Sequence, residues 1–302
     1  MRILLTGRNG QVGWELRRAL APLGEVVAFG RSEADMSRPE TLGPLVASVQ
    51  PHVIVNAAAY TAVDNAEKEM ALAQRVNGEA VGALAEAARK QNALMLHYST
   101  DYVFDGLSST PYRERDEVAP NNVYGRTKLA GEQAIEAAGG DWLTLRTTWV
   151  YGVRGRNFLR TMLRLGCDRE TLRVVADQTG TPTSARMIAD LTAQVVAKAQ
   201  RERAYGEFAS GLFHMTAGGQ TTWHGFASAI IAAAREAGRL PIKATSVEPI
   251  RSDEFPTPAA RPHFSVLDNT RFDERFLLHR MDWREALSLA MEDLQGGRSS
   301  LD

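Results

Sequence analysis

The chain is short of cysteine. Cys167 stands alone among 302 residues, which excludes an internal disulfide and suits a reducing compartment. It is equally short of net charge: 35 basic side chains face 36 acidic ones, leaving a formal −1. Such a balance sets up no field to gather nucleic acid or an anionic membrane, so neither is expected as a partner. Long apolar runs are missing too. The alanine-rich stretches are broken by charge well short of the ~20 residues that a membrane span needs. No charged leader and apolar signal segment opens the chain, so the expected setting is the cytoplasm. His52, His97, His214, His224, His263 and His279 show no close pair at ligand spacing, so no metal site is assigned. A divalent ion such as magnesium is left open as an accessory without assigned ligands. There is no internal repeat and no low-complexity tract. What is present is 44% hydrophobic residues, enough for a large core and two domains.

Apolar strand-like runs near Ile3, Val26, Val53, Leu94 and Leu143 alternate with helical patterns, the signature of βαβ units. The expected fold is α/β: a Rossmann-type doubly wound parallel sheet in residues 1–150, with a smaller α/β substrate domain in 151–302. After Tyr151 the regularity loosens, and Pro182, Pro241, Pro249, Pro256, Pro258 and Pro262 punctuate short elements. Arg2 to Thr6 runs straight into Gly7-Arg8-Asn9-Gly10-Gln11-Val12-Gly13, followed by the helical pattern W-E-L-R-R-A-L. Glycines permit a tight turn and close approach of backbone to a pyrophosphate, which would rest on the helix N-terminus near Gln11. Gly7, Asn9, Gly10, Gln11, Val12 and Gly13 are therefore the expected dinucleotide cradle.

Tyr124 and Lys128, four residues apart in Y-G-R-T-K, fall on one face of a helix. A cation against a phenol favours its ionised form, so the expectation is an acid catalyst whose pKa is drawn down toward neutrality. Thr100, at the end of the strand L-M-L-H-Y-S-T, supplies a hydroxyl able to bond a carbonyl under reduction. The second strand ends in Phe29-Gly30-Arg31-Ser32 without an acid. A carboxylate there would bind a ribose 2′-hydroxyl and repel a 2′-phosphate; with Arg31 instead, NADPH is expected to be accepted alongside NADH.

Together these motifs resemble the extended short-chain dehydrogenase/reductase family, and within it the reductases of dTDP-linked 4-keto sugars. The resemblance runs nearly end to end. It is carried by Gly7 to Gly13 with Trp14-Glu15-Leu16, V-I-V-N-A-A-A-Y-T-A-V-D from Val53, H-Y-S-T-D-Y-V-F-D-G from His97, N-V-Y-G-R-T-K-L-A-G-E from Asn122, R-T-T-W-V-Y from Arg146, D-Q-T-G-T-P-T from Asp177 and P-T-P-A-A-R-P from Pro256.

The resemblance implies hydride transfer from NADPH or NADH to the C4 carbonyl of a dTDP-4-keto-6-deoxy-L-sugar. Tyr124 would be proton donor, Lys128 would tune it and hold the nicotinamide ribose, and Thr100 would orient the carbonyl. Asp35 and Met36 would meet the adenine side, and Ala58, Ala59, Tyr60 and Thr61 would complete the cofactor pocket. Thr100, Asp101, Tyr102 and Trp149 would contact the nucleotide-sugar. Arg261 would serve its diphosphate, since guanidinium forks suit phosphate oxygens. Asn157 fits a phosphate contact and an N-cap equally. The resemblance further implies that a segment within about 186–220, Gly211 to Ala217 included, returns to the cofactor sheet, and it is compatible with a homodimer. Dehydration is disfavoured because Asp101 is followed by Tyr102 where a dehydratase needs its second carboxylate. Built-in epimerisation is disfavoured because Cys167 lies in the helical run M-L-R-L-G-C, away from that strand end. The alternatives are a catalytically silent NADP-binding regulatory subunit on the same fold and a reductase of a different nucleotide-linked keto-sugar.

Overall fold

Six strands, mostly of buried apolar side chains, form one parallel sheet in the computed structural model, which describes residues 1–296. They are β1 (Arg2–Thr6), β2 (Glu25–Phe29), β3 (Val53–Asn56), β4 (Leu94–Thr100), β5 (Trp142–Thr147) and β6 (Gly211–His214), in the spatial order β6-β5-β4-β3-β1-β2. Near-continuous runs such as V-I-V and L-M-L are what a sheet covered on both faces requires. The pleat divides them between two cores. Ile3 and Leu5 of β1 pack with Leu16 of the Gln11–Ala19 helix and Ile188 of the Ala185–Tyr205 helix, whereas Leu4 packs with Val81 and Leu84 of the Ala80–Lys90 helix.

The strand order reverses at β1, whose neighbours are β2 on one side and β3 on the other. In doubly wound sheets the carboxyl ends at such a reversal open the crevice that takes a ligand. The strand β6 enters far later in sequence and pairs in parallel with the outer edge of β5. A smaller layer pairs Thr171–Val175 with Ser246–Ile250 in parallel, backed by the helices Phe158–Asp168 and Trp223–Ala237. Its Leu163, Leu172 and Phe226 belong to the same buried cluster as Leu96 and Leu145 of the sheet.

One transverse row of the sheet is polar. Thr6, Asn56, His97 and Thr144 are register neighbours across β1, β3, β4 and β5, and all four are buried.

Candidate active site

The helix Gln11–Ala19 starts at Gly10 with no side-chain cap. Its first backbone N–H groups are left for another acceptor, at the positive end of the helix. Gly7 has φ +73°, and a Cβ there would lie 2.7 Å from the backbone of Ala57 and Ala58; one on Gly13 would lie 2.0 Å from the Gly7 carbonyl. No side chain fits either place, so the turn keeps strand and helix backbone in direct contact. Met36 is buried in the cluster that holds Leu4 and Ile54. Asp35 accepts from the amide and hydroxyl of Ser37, which hold its carboxyl below the usual range. Beyond β3, Ala58 N–H donates to Asn56 Oδ1 and Tyr60 N–H to Asn77 Oδ1. The Tyr60 hydroxyl donates to Glu69.

At the end of β2 the structure corrects the expected charge pattern. Arg31 is 80% exposed and stands 3.8 Å from Asp35. A second cation lies there: Arg8 donates to the Ala28 carbonyl at 3.0 Å and to Glu33 at 2.7 Å. Glu33 in turn accepts from Gly30 N–H at 3.0 Å. The carboxylate missing from the strand end thus folds back onto it from four residues beyond Phe29. Its position depends on a turn that no run of residues announces.

The helix Val123–Ala138, which carries Tyr124 and Lys128, is capped by Asn122, whose Oδ1 accepts from Gly125 N–H at 2.8 Å. Tyr124 meets Tyr102 edge-on, ring centroids 5.5 Å apart. Thr100 donates to Asp101 at 3.0 Å and accepts from Tyr102 N–H at 3.2 Å. Burial pushes the Tyr124 phenol well above its ordinary pKa, the Asp101 charge adds to the rise, and the Thr100 hydroxyl works against it. Burial likewise pushes the Asp101 carboxyl up to about 6 against the Thr100 hydroxyl, while its Oδ2 is buried without a partner among the described residues.

Lys128 is 2% exposed. Its ammonium donates to the Tyr98 carbonyl at 2.6 Å and lies 3.1 Å from His97 Nε2. Burial pushes it down to about 8, with Glu132 opposing. The expectation that this cation draws the Tyr124 pKa down is therefore corrected: Lys128 is bonded to β4, and desolvation decides both groups.

On the far side, Arg261 bonds Asp64 at 2.7 Å and Tyr102 Oη at 3.4 Å. Trp149 is half-buried with φ +45°. Its indole stacks on Trp223 at 3.5 Å and 7°, and lies flat over Gly180, where a Cβ would come within 2.4 Å of the ring. Asn157 is the cap of the Phe158–Asp168 helix: its Oδ1 accepts from Arg160 N–H and its Nδ2 donates to Gly152 and Arg154 carbonyls. Arg8, Glu33, Asn56, Asp64, His97 and Trp223 were given no site role on the sequence alone. For Asn56 and His97 a signal existed, a polar residue directly after the apolar runs V-I-V and L-M-L. Among the described residues, no group of three or more His, Cys, Asp or Glu is placed to hold a metal ion, and no helix is long and apolar enough to cross a membrane.

A doubly wound sheet with a glycine cradle at its reversal point, and a tyrosine and a lysine on the helix beside β4, defines an oxidoreductase of the Rossmann type. Residues 1–295 match the RmlD substrate binding domain family, and the chain belongs to it. It is 57% identical over 295 residues to a dTDP-4-dehydrorhamnose reductase of Burkholderia thailandensis, covering 97% of this chain and 99% of that one. Among solved structures, a dTDP-4-dehydrorhamnose reductase of Clostridium acetobutylicum aligns with TM-score 0.88 at 37% identity, over 98% of this chain and 100% of that one. The Bacillus anthracis reductase in complex with NADP aligns with TM-score 0.88 at 33% identity, over 97% and 99%.

Proposed function

We propose that the chain reduces the C4 carbonyl of dTDP-4-dehydro-β-L-rhamnose to give dTDP-L-rhamnose with NADPH or NADH, in dTDP-rhamnose synthesis for cell-surface polysaccharide. The observation that carries this is end-to-end agreement, at 57% identity, with a relative of that activity. The single cysteine and the nucleotide cofactor support a cytoplasmic setting.

The cradle fits a dinucleotide. The uncapped helix start would take the pyrophosphate, and the contacts at Gly7 and Gly13 would let backbone reach it. Asn9, Gly10, Gln11 and Val12 line that turn, Asp35 and Met36 the adenine side, and Ala58 to Thr61 the end of β3. The bound nicotinamide supplies the hydride. Tyr124 gives its proton to the C4 oxygen, and a raised pKa keeps that proton in place until the oxygen becomes basic. Thr100 orients the carbonyl and steadies its developing charge. Lys128 restores the phenol. Arg261 and Tyr102 serve the diphosphate end of the substrate, and the Trp149 indole presents a flat wall.

Oxidation of NADPH, followed by absorbance with the dTDP-linked 4-keto sugar against its GDP- and UDP-linked analogues, tests the reading. Preferred turnover of the dTDP compound is expected. Preference for another base moves the activity to a different keto-sugar, and no turnover by folded, NADPH-binding protein overturns it.

A further inference from the structure

Lys128 is surrounded by more donors than its chemistry admits. A lysine ammonium carries three hydrogens and no lone pair. Buried as it is, Lys128 has the Tyr98 carbonyl at 2.6 Å and His97 Nε2 at 3.1 Å. What Nε2 can offer is decided one strand away. The backbone N–H of Ala58 points at Asn56 Oδ1 from 3.2 Å, and the Thr6 hydroxyl donates to the same atom at 2.6 Å. A backbone N–H only donates, so this atom of Asn56 is its oxygen. The amide nitrogen is then the one turned to His97, 3.0 Å from Nδ1. It too only donates, which makes Nδ1 the acceptor and leaves the single proton of a neutral imidazole on Nε2. Burial keeps His97 neutral, holding its pKa well below the usual value, and the Lys128 charge acts in the same direction. An N–H therefore faces Lys128, and an amine can accept it where an ammonium cannot.

We propose that His97, locked by Asn56 with its proton on Nε2, is a positioning residue for Lys128: it holds the amine against β4 and opposes its third proton. The inference rests on Tyr124 and Lys128 as the proton pair. In each turnover the Tyr124 O–H proton passes to the substrate oxygen. The phenolate regains a proton from the Lys128 ammonium, whose amine form accepts the His97 Nε2–H bond until water reprotonates it. The other titratable groups of this corner are Tyr124 and Glu132, one turn before and one turn after Lys128 on its own helix, Arg146 of β5, which is bonded to Glu132, and Asp101 and Tyr102, whose charges act on Tyr124. Glu132 favours the ammonium, but it is already held by Arg146 at 2.7 Å and 2.9 Å.

Asn56→Asp reverses the lock, since a carboxylate accepts where the amide donated. His97 then carries its proton on Nδ1 and turns a lone pair to Lys128. The high-pH limb of kcat, set by loss of the Lys128 proton, should move up by about one pH unit or more. In a His97→Phe background only the charge of the new carboxylate is left to act, so the same substitution should move the limb clearly less. Nitrogen-15 spectra of labelled histidine should show Nε2–H at His97 in the unaltered protein and Nδ1–H in Asn56→Asp. Nδ1–H in the unaltered protein overturns the proposal, as does an unmoved limb in folded Asn56→Asp, or an equal shift without the imidazole. The spectrum of the unaltered protein needs neither a variant nor turnover. A failure of the reductase reading is therefore distinguishable from a failure of this one.

Discussion

Tyr124 and Asp101 divide the work of burial between them. The phenol is held protonated across the neutral range by its burial. Tyr124→Phe keeps the ring against Tyr102 and deletes the proton, so kcat should fall by at least ~10²-fold with NADPH affinity unchanged. Steady-state rates and a fluorescence titration on one preparation check this, and near-normal turnover would remove Tyr124 from the mechanism. Asp101 is costly to the fold. Its folded pKa of about 6 stands above the ordinary 3.8, so between those values the native state binds more protons than the unfolded one and stability falls as pH rises. Above pH 6 the full penalty applies, at most ~3 kcal/mol on the usual energy per pKa unit. Asp101→Asn should raise the melting temperature more at pH 8 than at pH 4, while lowering activity. An equal change at both pH values would sink the account.

At the scale of elements, what could be read from the sequence was what sits close along the chain. The glycine turn, the strand ending at Thr100 and the Tyr124-Lys128 spacing each lie within one element or one junction, so periodicity and turn chemistry expose them. Partners set side by side by the sheet do not show this way. Asn56 and His97 are register neighbours only because β3 and β4 pair, and Glu33 reaches Gly30 only through its turn. Trp223 is such a partner too. It opens the Trp223–Ala237 helix, held by Thr222 as N-cap, and lies flat on an indole 74 residues earlier in the chain. Trp149 holds a left-handed backbone that costs a non-glycine residue ~1–2 kcal/mol, and the stack helps fix it there. If Trp149 faces substrate, Trp149→Ala should raise KM for the nucleotide-sugar by roughly 5- to 100-fold, from ~1–3 kcal/mol of lost stacking. Trp223→Ala should raise KM as well, and the double variant should show less than the sum. A large melting loss with unchanged KM in both single variants would make the pair purely structural.

Across the whole molecule, the sheet and the smaller layer share one buried cluster, so the fold is closed by long-range contacts rather than assembled from neighbours. The order in which a ribosome delivers the strands then matters. Five strands of the sheet are available once Thr147 has emerged, yet the edge of β5 waits for Gly211–His214. Until those residues arrive, β5 displays a row of unpaired backbone groups, the kind of template that captures other chains. Nascent chains arrested near residue 205 should therefore be protease-sensitive and gather in the insoluble fraction, whereas the full-length chain is released soluble. Equal protease resistance at both lengths would refute this. A strand of four residues would thus act as a late clasp, making the interval of synthesis between 147 and 211 the time when this protein most needs a chaperone.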